Sequence, residues 1–336
     1  YWAYRGLREA APAPSVSDYK GAGETEIQVE IPDGASGQEI GQILYDKGVV
    51  ASVGAFADAY AANTNSGNIQ AGIYTLKTKM SAANAVAALL DPASQTRRLT
   101  IPEGFTQTQV KEKLMSTGGF TAAEVDAAFA DAAGIGLPAV AGGHVEGWLA
   151  PDTYNVSENA TATEIVAEMV RRTVSRLKNA GVAEADYETV LIKASIVERE
   201  ATPTYYGQVA RVIDNRLADT DGDTQGKLGM DSTILYGLGR SGGMPTQAEL
   251  DDASNPYNTR IHAGLPPTPI GSPGKGTITA VLNPPAGDWL YFVTINLDTG
   301  ETRFASTYAE QQANEQLLQQ YCAANEAKCS SGTHKS

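Results

Sequence analysis

The stretch "IPDGASGQEIGQILYDKGVV", residues 31–50, decides the organisation of the chain, because its design occurs twice. Ser36 and Glu39 form the S-x-x-E pattern of a capping box, in which each side chain satisfies a backbone N–H at a helix start. Ile40, Ile43 and Leu44 then fall on one helical stripe, and Gly48 stops the helix. Upstream, "TEIQVEI", residues 25–31, alternates as a half-buried strand does. Seventy residues on, "IPEGFTQTQVKEKLMSTGGF", residues 101–120, repeats the plan. Thr106 and Gln109 take the cap, Val110 and Leu114 the stripe, and Gly118 the stop. Two strand–turn–helix units of one design are predicted, and between them "AGIYTLKTKMSAANAVAALL" reads as a strand followed by a helix opened by Ser81.

Elsewhere the pattern is mixed α+β. Residues 163–180 predict an amphipathic helix with Val166, Val170, Val174 and Leu177 on one stripe and Gly181 at its end. Further helices are predicted over 186–200 and over 205–218, the latter with Val209, Val212, Ile213 and Leu217 inward. "DWLYFVTINLDTGETRFAST" predicts a β-hairpin turning at Asp298-Thr299-Gly300. "APAPSVSDYKGAGE", residues 11–24, reads as a Pro/Gly/Ser linker, and residues 321–336 as a polar C-terminal tail.

A length of 336 residues allows two or three cores, and 42% hydrophobic with 19% charged residues is a globular composition. The net charge of −14 argues against a nucleic-acid partner and against adsorption to anionic lipid, while a neutral glycan remains compatible. No run of 18 apolar residues is present. At the start, "YWAYRGL" places aromatics beside Arg5, which reads either as the interfacial edge of a membrane helix upstream or as a plain chain end. Cys322 and Cys329 have no His or third Cys nearby, so a small disulfide loop in an oxidising compartment is preferred over two free thiols, and a zinc site is not expected.

"LIKASIVEREATPT", residues 191–204, carries apolar residues into Glu198 and Glu200, with Arg199 between them. On a helix the two glutamates lie roughly 200° apart, so they face different ways. Each sits one turn beyond apolar neighbours, Ala194 for Glu198 and Ile196 for Glu200. A carboxyl held against apolar surface has its pKa raised, which suits a general acid; a solvated helix end is the plainer alternative.

Other stretches bring polar groups with aromatics. "VEGWLAPDTYNV", residues 145–156, gathers Glu146, Trp148, Pro151, Asp152 and Tyr154; such a loop suits sugar rings, or is a rigid turn around a buried Trp. "MDSTILYG" supplies Asp231 and Tyr236. "NPYNTRIHAGLPPTPIGSPG", residues 255–274, holds five prolines and reads as a stiff loop of the kind that forms binding surfaces. His144, His262 and His334 are scattered, with no metal cluster or Ser-His-Asp order, and no cofactor motif appears. Asp219, Asp221 and Asp223 begin a calcium-loop spacing, but the glycine at the sixth position and the acid at the twelfth are missing, which favours a solvated loop.

A β-α unit with an "IPDG" turn resembles a LysM-like carbohydrate-binding module. "EGWLAPDTY", "ASIVERE", "MDSTILYG", "PYNTRIHAGLPPTPIGSPG" and "WLYFV", in this order, resemble the endolytic murein transglycosylases of the MltG or YceG-like family over about residues 25–315. The resemblance implies a juxtamembrane linker over 1–24, a small LysM-like α+β domain over 25–98 and a larger mixed α+β catalytic domain over 99–320. It implies a single-pass cell-membrane protein whose catalytic domain is extracytoplasmic, anchored by a helix absent from this chain. It implies cleavage of the β-1,4 bond between N-acetylmuramic acid and N-acetylglucosamine within glycan strands of peptidoglycan, leaving a 1,6-anhydro end. Peptidoglycan synthases are admitted as partners; no cofactor or metal is. Glu200 matches the last glutamate of the family's "ASI-[IV]-E-x-E" motif and is implied as the catalytic acid and base, with Glu198 supporting it. Glu146 and Asp152 match "EGW…PDT", Asp231 matches the acid of "D-P-T", and Tyr257 and Asn258 match "YNT"; these are implied to orient the sugar or support Glu200.

The sequence departs from the family pattern at Ser232, where proline is usual, at Gly229, where glutamine is expected, at Thr302, where histidine is frequent, and in the longer loop "ADTDGDTQGK". Two alternatives stand beside this reading. One is a hydrolytic muramidase pairing Glu200 with Asp231 or Asp152. The other is a non-enzymatic peptidoglycan-binding scaffold.

Overall fold

The computed structural model describes residues 17–330; "YWAYRGL" lies outside them. Strand β1 (Glu26–Ile31) buries Val29 and Ile31 and exposes the residues between them, as the alternation requires. Helix α1 (Gly37–Asp46) opens with the full capping box of Ser36 and Glu39, and helix α2 (Val53–Ala62) is capped by Ser52. Strand β2 (Gly72–Lys77) pairs antiparallel with β1, Val29 opposite Tyr74. Helix α3 (Ala82–Leu90) follows its Ser81 cap. Strand β3 (Gln95–Ile101) pairs antiparallel with β2 at its start, Ile73 opposite Thr96. Helix α4 (Gln107–Ser116) opens with the second capping box, Thr106 with Gln109. The left-handed residue beyond α4 is Gly119 at φ +78°, one position after the predicted Gly118, and the N–H groups of Thr117, Gly118, Gly119 and Phe120 bond back to the carbonyls of Lys113, Leu114 and Met115.

Helix α5 (Ala122–Ala130) leads to strand β4 (Asp152–Ser157) and helix α6 (Ala162–Asn179), which buries Val166, Val170 and Leu177. Then come α7 (Tyr187–Glu200), α8 (Tyr206–Ala218), α9 (Asp231–Gly237), α10 (Gln247–Leu250) and α11 (Lys275–Leu282). The hairpin β5 (Tyr291–Asn296) and β6 (Glu301–Ala305) carries a register irregularity between Thr294 and Asn296. Helices α12 (Tyr308–Ala324) and α13 (Glu326–Ser330) complete the described chain. The fold is α+β, with a four-stranded sheet in order β1-β2-β3-β4 and the separate hairpin β5-β6.

Chain contacts divide the molecule into two units, the first over residues 17–98 with 155–160, the second over 99–154 with 161–330. The first has its own core of Val29, Ile40, Leu44, Phe56, Tyr74 and Leu76. Each such side chain contributes roughly 1.5–3 kcal/mol on burial. In the second, α7 is the central helix; residues on nearly every side of it are buried, and it packs on α8, α9 and α11. Among the described residues no helix is long and apolar enough to cross a membrane.

Three expectations are corrected. Residues 17–24 are not a free linker: Asp18 accepts the backbone N–H of Ala82, and Gly21 that of Ser81. The described part of the predicted polar tail, residues 321–330, is helical, since α12 runs to Ala324 and α13 follows, and the expected Cys322–Cys329 disulfide joins them. The proline-rich loop is only partly a surface. Residues 268–274 are buried, because the Ser195 hydroxyl of α7 accepts from Ile270 N–H and residues 104–105 exchange backbone bonds with Ser272. A chain rich in proline has few N–H groups to satisfy, so it tolerates burial.

Candidate active site

Glu200 ends α7, and its carboxyl lies against the first turn of α9. It is 6% exposed. Ser232 donates its hydroxyl to Oε1 at 2.5 Å and its backbone N–H to the same oxygen at 3.3 Å. Oε2 takes no hydrogen bond from the described residues. Burial pushes the Glu200 pKa up to about 7, against the lowering pull of both Ser232 bonds and the Arg199 charge; the Asp231 charge pushes the same way as burial. This carboxyl is poised between its two forms near neutral pH, the condition for one group to serve as acid and then base.

The loop before α9 is held by Thr259, whose hydroxyl accepts from Met230 N–H at 2.9 Å and whose carbonyl accepts from Gly229 N–H. The Arg260 fork donates Nε and Nη2 to Asp231 Oδ1 at 3.0 and 2.7 Å. Asp231 and Arg260 line a cavity of about 390 Å³ with Glu200, Met230, Tyr291 and Gln311. Glu200 also borders a second cavity of about 630 Å³, walled by Thr202, Thr294, Leu297, Thr302 and Lys328. Glu200 is thus a lining residue of both cavities.

Glu198 faces elsewhere, as the helical angle requires. Its Oε2 accepts from Gly274 N–H at 3.0 Å and the Thr277 hydroxyl at 2.9 Å, at the start of α11, and its Oε1 from the Tyr206 hydroxyl. It lines a separate cavity with Glu103, Arg199 and Ser232. Burial and then the Glu198 charge hold the Glu103 pKa above its ordinary value.

Glu146 is 1% exposed. Its two oxygens accept from Gln107 N–H at 3.1 and 3.0 Å, and Oε2 also from the Tyr236 hydroxyl at 2.7 Å. Burial lifts its pKa to about 7. Gly147, at φ +86°, leaves no room for a side chain, since a Cβ there would lie 2.4 Å from Pro269. Tyr236 meets Tyr257 edge to face, both bordering one cavity beside α4. Glu146, Glu198 and Glu200 each accept a backbone N–H at a helix start, and at Glu146 and Glu200 these bonds favour the ionised form that burial opposes.

Other expected residues are not brought to Glu200. Asn258 is fully buried, its amide donating to the Leu250 and Asp252 carbonyls, and it shapes the loop after α10. Asp152 pairs with Arg172 and Arg176 in a different cavity. Trp148 and Tyr154 are core residues, so the 145–156 loop is the rigid turn and not an aromatic platform; the Trp148 indole donates to Glu188 and the Tyr154 hydroxyl to Ala150. Arg260, Gln311 and Glu103 escaped the sequence reading, because each reaches its cavity from an element distant in sequence. Among the described residues no cluster of three or more metal-binding side chains occurs.

Comparison with known proteins agrees with this architecture. The YceG-like family model matches residues 29–317. An endolytic murein transglycosylase of Streptococcus pneumoniae serotype 2 is 29% identical over 330 residues, 86% of this chain, and the chain spans 57% of that protein's length. One of Bacillus subtilis strain 168 is 28% identical over 312 residues, covering 85% of this chain and 83% of the relative. The crystal structure of a yceG-like protein from Listeria monocytogenes superposes with a TM-score of 0.52 at 29% identity, covering 86% of this chain and 98% of the other. This chain belongs to the YceG-like family.

Proposed function

We propose that this protein is an endolytic lytic transglycosylase of peptidoglycan, cutting the β-1,4 bond between N-acetylmuramic acid and N-acetylglucosamine inside nascent strands and so ending their elongation. The observation that carries the reading is the Glu200 carboxyl, buried, with a pKa of about 7 and lining two cavities. Relatives with the same family pattern bear the name endolytic murein transglycosylase.

Protonated Glu200 gives its proton to the glycosidic oxygen as that oxygen's bond to C1 of the muramic ring breaks. The resulting carboxylate takes the proton of the same ring's C6 hydroxyl, whose oxygen bonds to C1. The proton returns to Glu200 and no water is consumed. Because the nucleophile belongs to the substrate, one carboxyl suffices, and the positioned hydroxyl supplies effective molarity of several kcal/mol in order of magnitude. Ser232 occupies Oε1, so Oε2 is the oxygen offered to the substrate. Residues 25–98 serve as a LysM-like glycan-binding domain, and the catalytic part works outside the cytoplasm on a membrane-anchored chain beside peptidoglycan synthases.

A hydrolytic muramidase is the second reading, favoured by Asp231 bordering the same cavity as Glu200. The binding scaffold is the third. Mass spectrometry of uncrosslinked strands incubated with wild type and with Glu200→Gln decides among them. Anhydro-ended internal fragments, absent with the variant, support transglycosylation. Reducing ends mean hydrolysis, and intact strands with both proteins mean a scaffold.

A further inference from the structure

The family match stops at residue 317, yet α12 continues to Ala324 and α13 follows. This continuation is anchored. Asp298, in the β5–β6 turn, accepts from the Tyr321 hydroxyl at 2.8 Å and from the Lys328 ammonium at 2.5 Å. The Cys322–Cys329 disulfide closes the segment over a separation of seven residues. Ala327 and Lys328 are thereby held at the larger of the two grooves beside Glu200, together with Thr202 and Thr302.

The same helix pair reaches the other groove through Gln311. Gln311 is 6% exposed. Its amide nitrogen donates to the Phe292 carbonyl at 3.2 Å and to Glu315 Oε1 at 3.4 Å. Both partners are acceptors, so the amide orientation is fixed by chemistry. Its Oε1 is left as a buried acceptor without a partner among the described residues. Unpaired buried acceptors are costly, and one beside a substrate cavity is explained when a ligand N–H or O–H completes it.

We propose that α12 and α13, held by the Cys322–Cys329 disulfide and Asp298, form the wall that positions a glycan strand on both sides of Glu200. The ligand class is an N-acetylated polysaccharide, whose amide N–H and hydroxyls suit Gln311 and the threonine-lined groove. The inference rests on the transglycosylase reading only for the identity of the polymer. Ala327 and Lys328 are positioning residues, acting on the substrate's placement and not on the proton transfer. Released from its staple, this segment would have to be ordered at each binding event, which weakens binding about three- to tenfold.

The test measures the Kd of uncrosslinked nascent glycan strands for Glu200→Gln, which keeps them intact, with and without the paired changes Cys322→Ser and Cys329→Ser. The expected loss is three- to tenfold. In the Glu200 background KM rises by the same factor while kcat stays within about twofold. Ala327→Trp, at an exposed position, fills the groove without disturbing a core and is expected to weaken binding at least tenfold. Unchanged Kd in both variants overturns the wall, as does loss in the serine variant with none in Ala327→Trp, or no strand binding by Glu200→Gln itself. Staple-dependent binding by a wild type that cuts nothing leaves the wall standing and removes the catalytic reading instead.

Discussion

Ser232 donates twice to one oxygen of Glu200, through its hydroxyl at 2.5 Å and its backbone N–H at 3.3 Å. Both bonds favour the carboxylate, and burial opposes them. The outcome is a carboxyl with a pKa of about 7, its Oε1 tied and its Oε2 without a hydrogen-bond partner among the described residues. It follows that Glu200→Gln, which keeps the shape and an acceptor for Ser232, should reduce strand cleavage by 10²- to 10⁴-fold, the usual contribution of a general acid. Release of labelled fragments against time measures this; residual activity within tenfold of wild type would remove Glu200 from the chemistry.

The first step needs protonated Glu200, so kcat/KM should fall about tenfold per pH unit above a pKa of about 7. Ser232→Ala removes a bond that lowers this pKa, and the alkaline limb should move to higher pH. Asp231→Asn removes a charge that raises it, and the limb should move lower. A pH–rate profile of the three proteins tests the order; shifts in the opposite directions would contradict the assignment. Asp231→Asn should still yield anhydro ends, whereas a muramidase using Asp231 as base would stop.

The same pKa carries a stability consequence. Glu200 has a folded pKa raised from 4.5 to about 7, so the folded state holds a proton that the unfolded state releases between those values. Its contribution is fully present below pH 4.5 and is lost as pH rises through 7, by on the order of 3 kcal/mol. Glu200→Gln should therefore gain thermal stability relative to wild type at pH 8 and lose that advantage near pH 4.5. Paired Tm measurements across pH check it; a pH-independent difference would mean Glu200 is not buried as described.

Trp148 is fully buried and its indole N–H donates to Glu188 at 2.8 Å. Trp148→Ala should cost about 3–5 kcal/mol of unfolding free energy, as large aromatic truncations in cores do. Strand affinity per folded molecule should not change. Denaturant titration with a binding isotherm separates the two, and a stable variant with weakened affinity would restore the sugar-platform reading of the 145–156 loop.

Asp152 is partly exposed in its pairs with Arg172 and Arg176, so its loss should be mild. Asp152→Asn is expected to change stability by under about 1 kcal/mol and to leave cleavage within twofold. A large fall in kcat in the fragment-release assay would place Asp152 at the substrate after all.

The local plan of the chain was legible in its sequence because its causes are local. The two capping boxes, Ser36 with Glu39 and Thr106 with Gln109, operate within one helical turn, and the apolar stripes of α6 and α8 follow from the helical period alone. The opposed facing of Glu198 and Glu200 likewise comes from two residues' separation on one helix. What tertiary structure decided is the environment of those groups. Whether Glu200 is solvated or buried depends on Ser232, thirty-two positions away, and whether Trp148 is a platform or a core residue depends on what α6 and α7 lay over it. The burial of loop 268–274 and the anchoring of the terminal helices are decided the same way, by the Ser195 hydroxyl and the Asp298 carboxylate, which are long-range partners, whereas the Cys322–Cys329 pairing between close neighbours was legible in the sequence. Periodicity and capping are properties of neighbours along the chain, whereas burial, and with it the pKa that makes a carboxyl useful, is a property of neighbours in space.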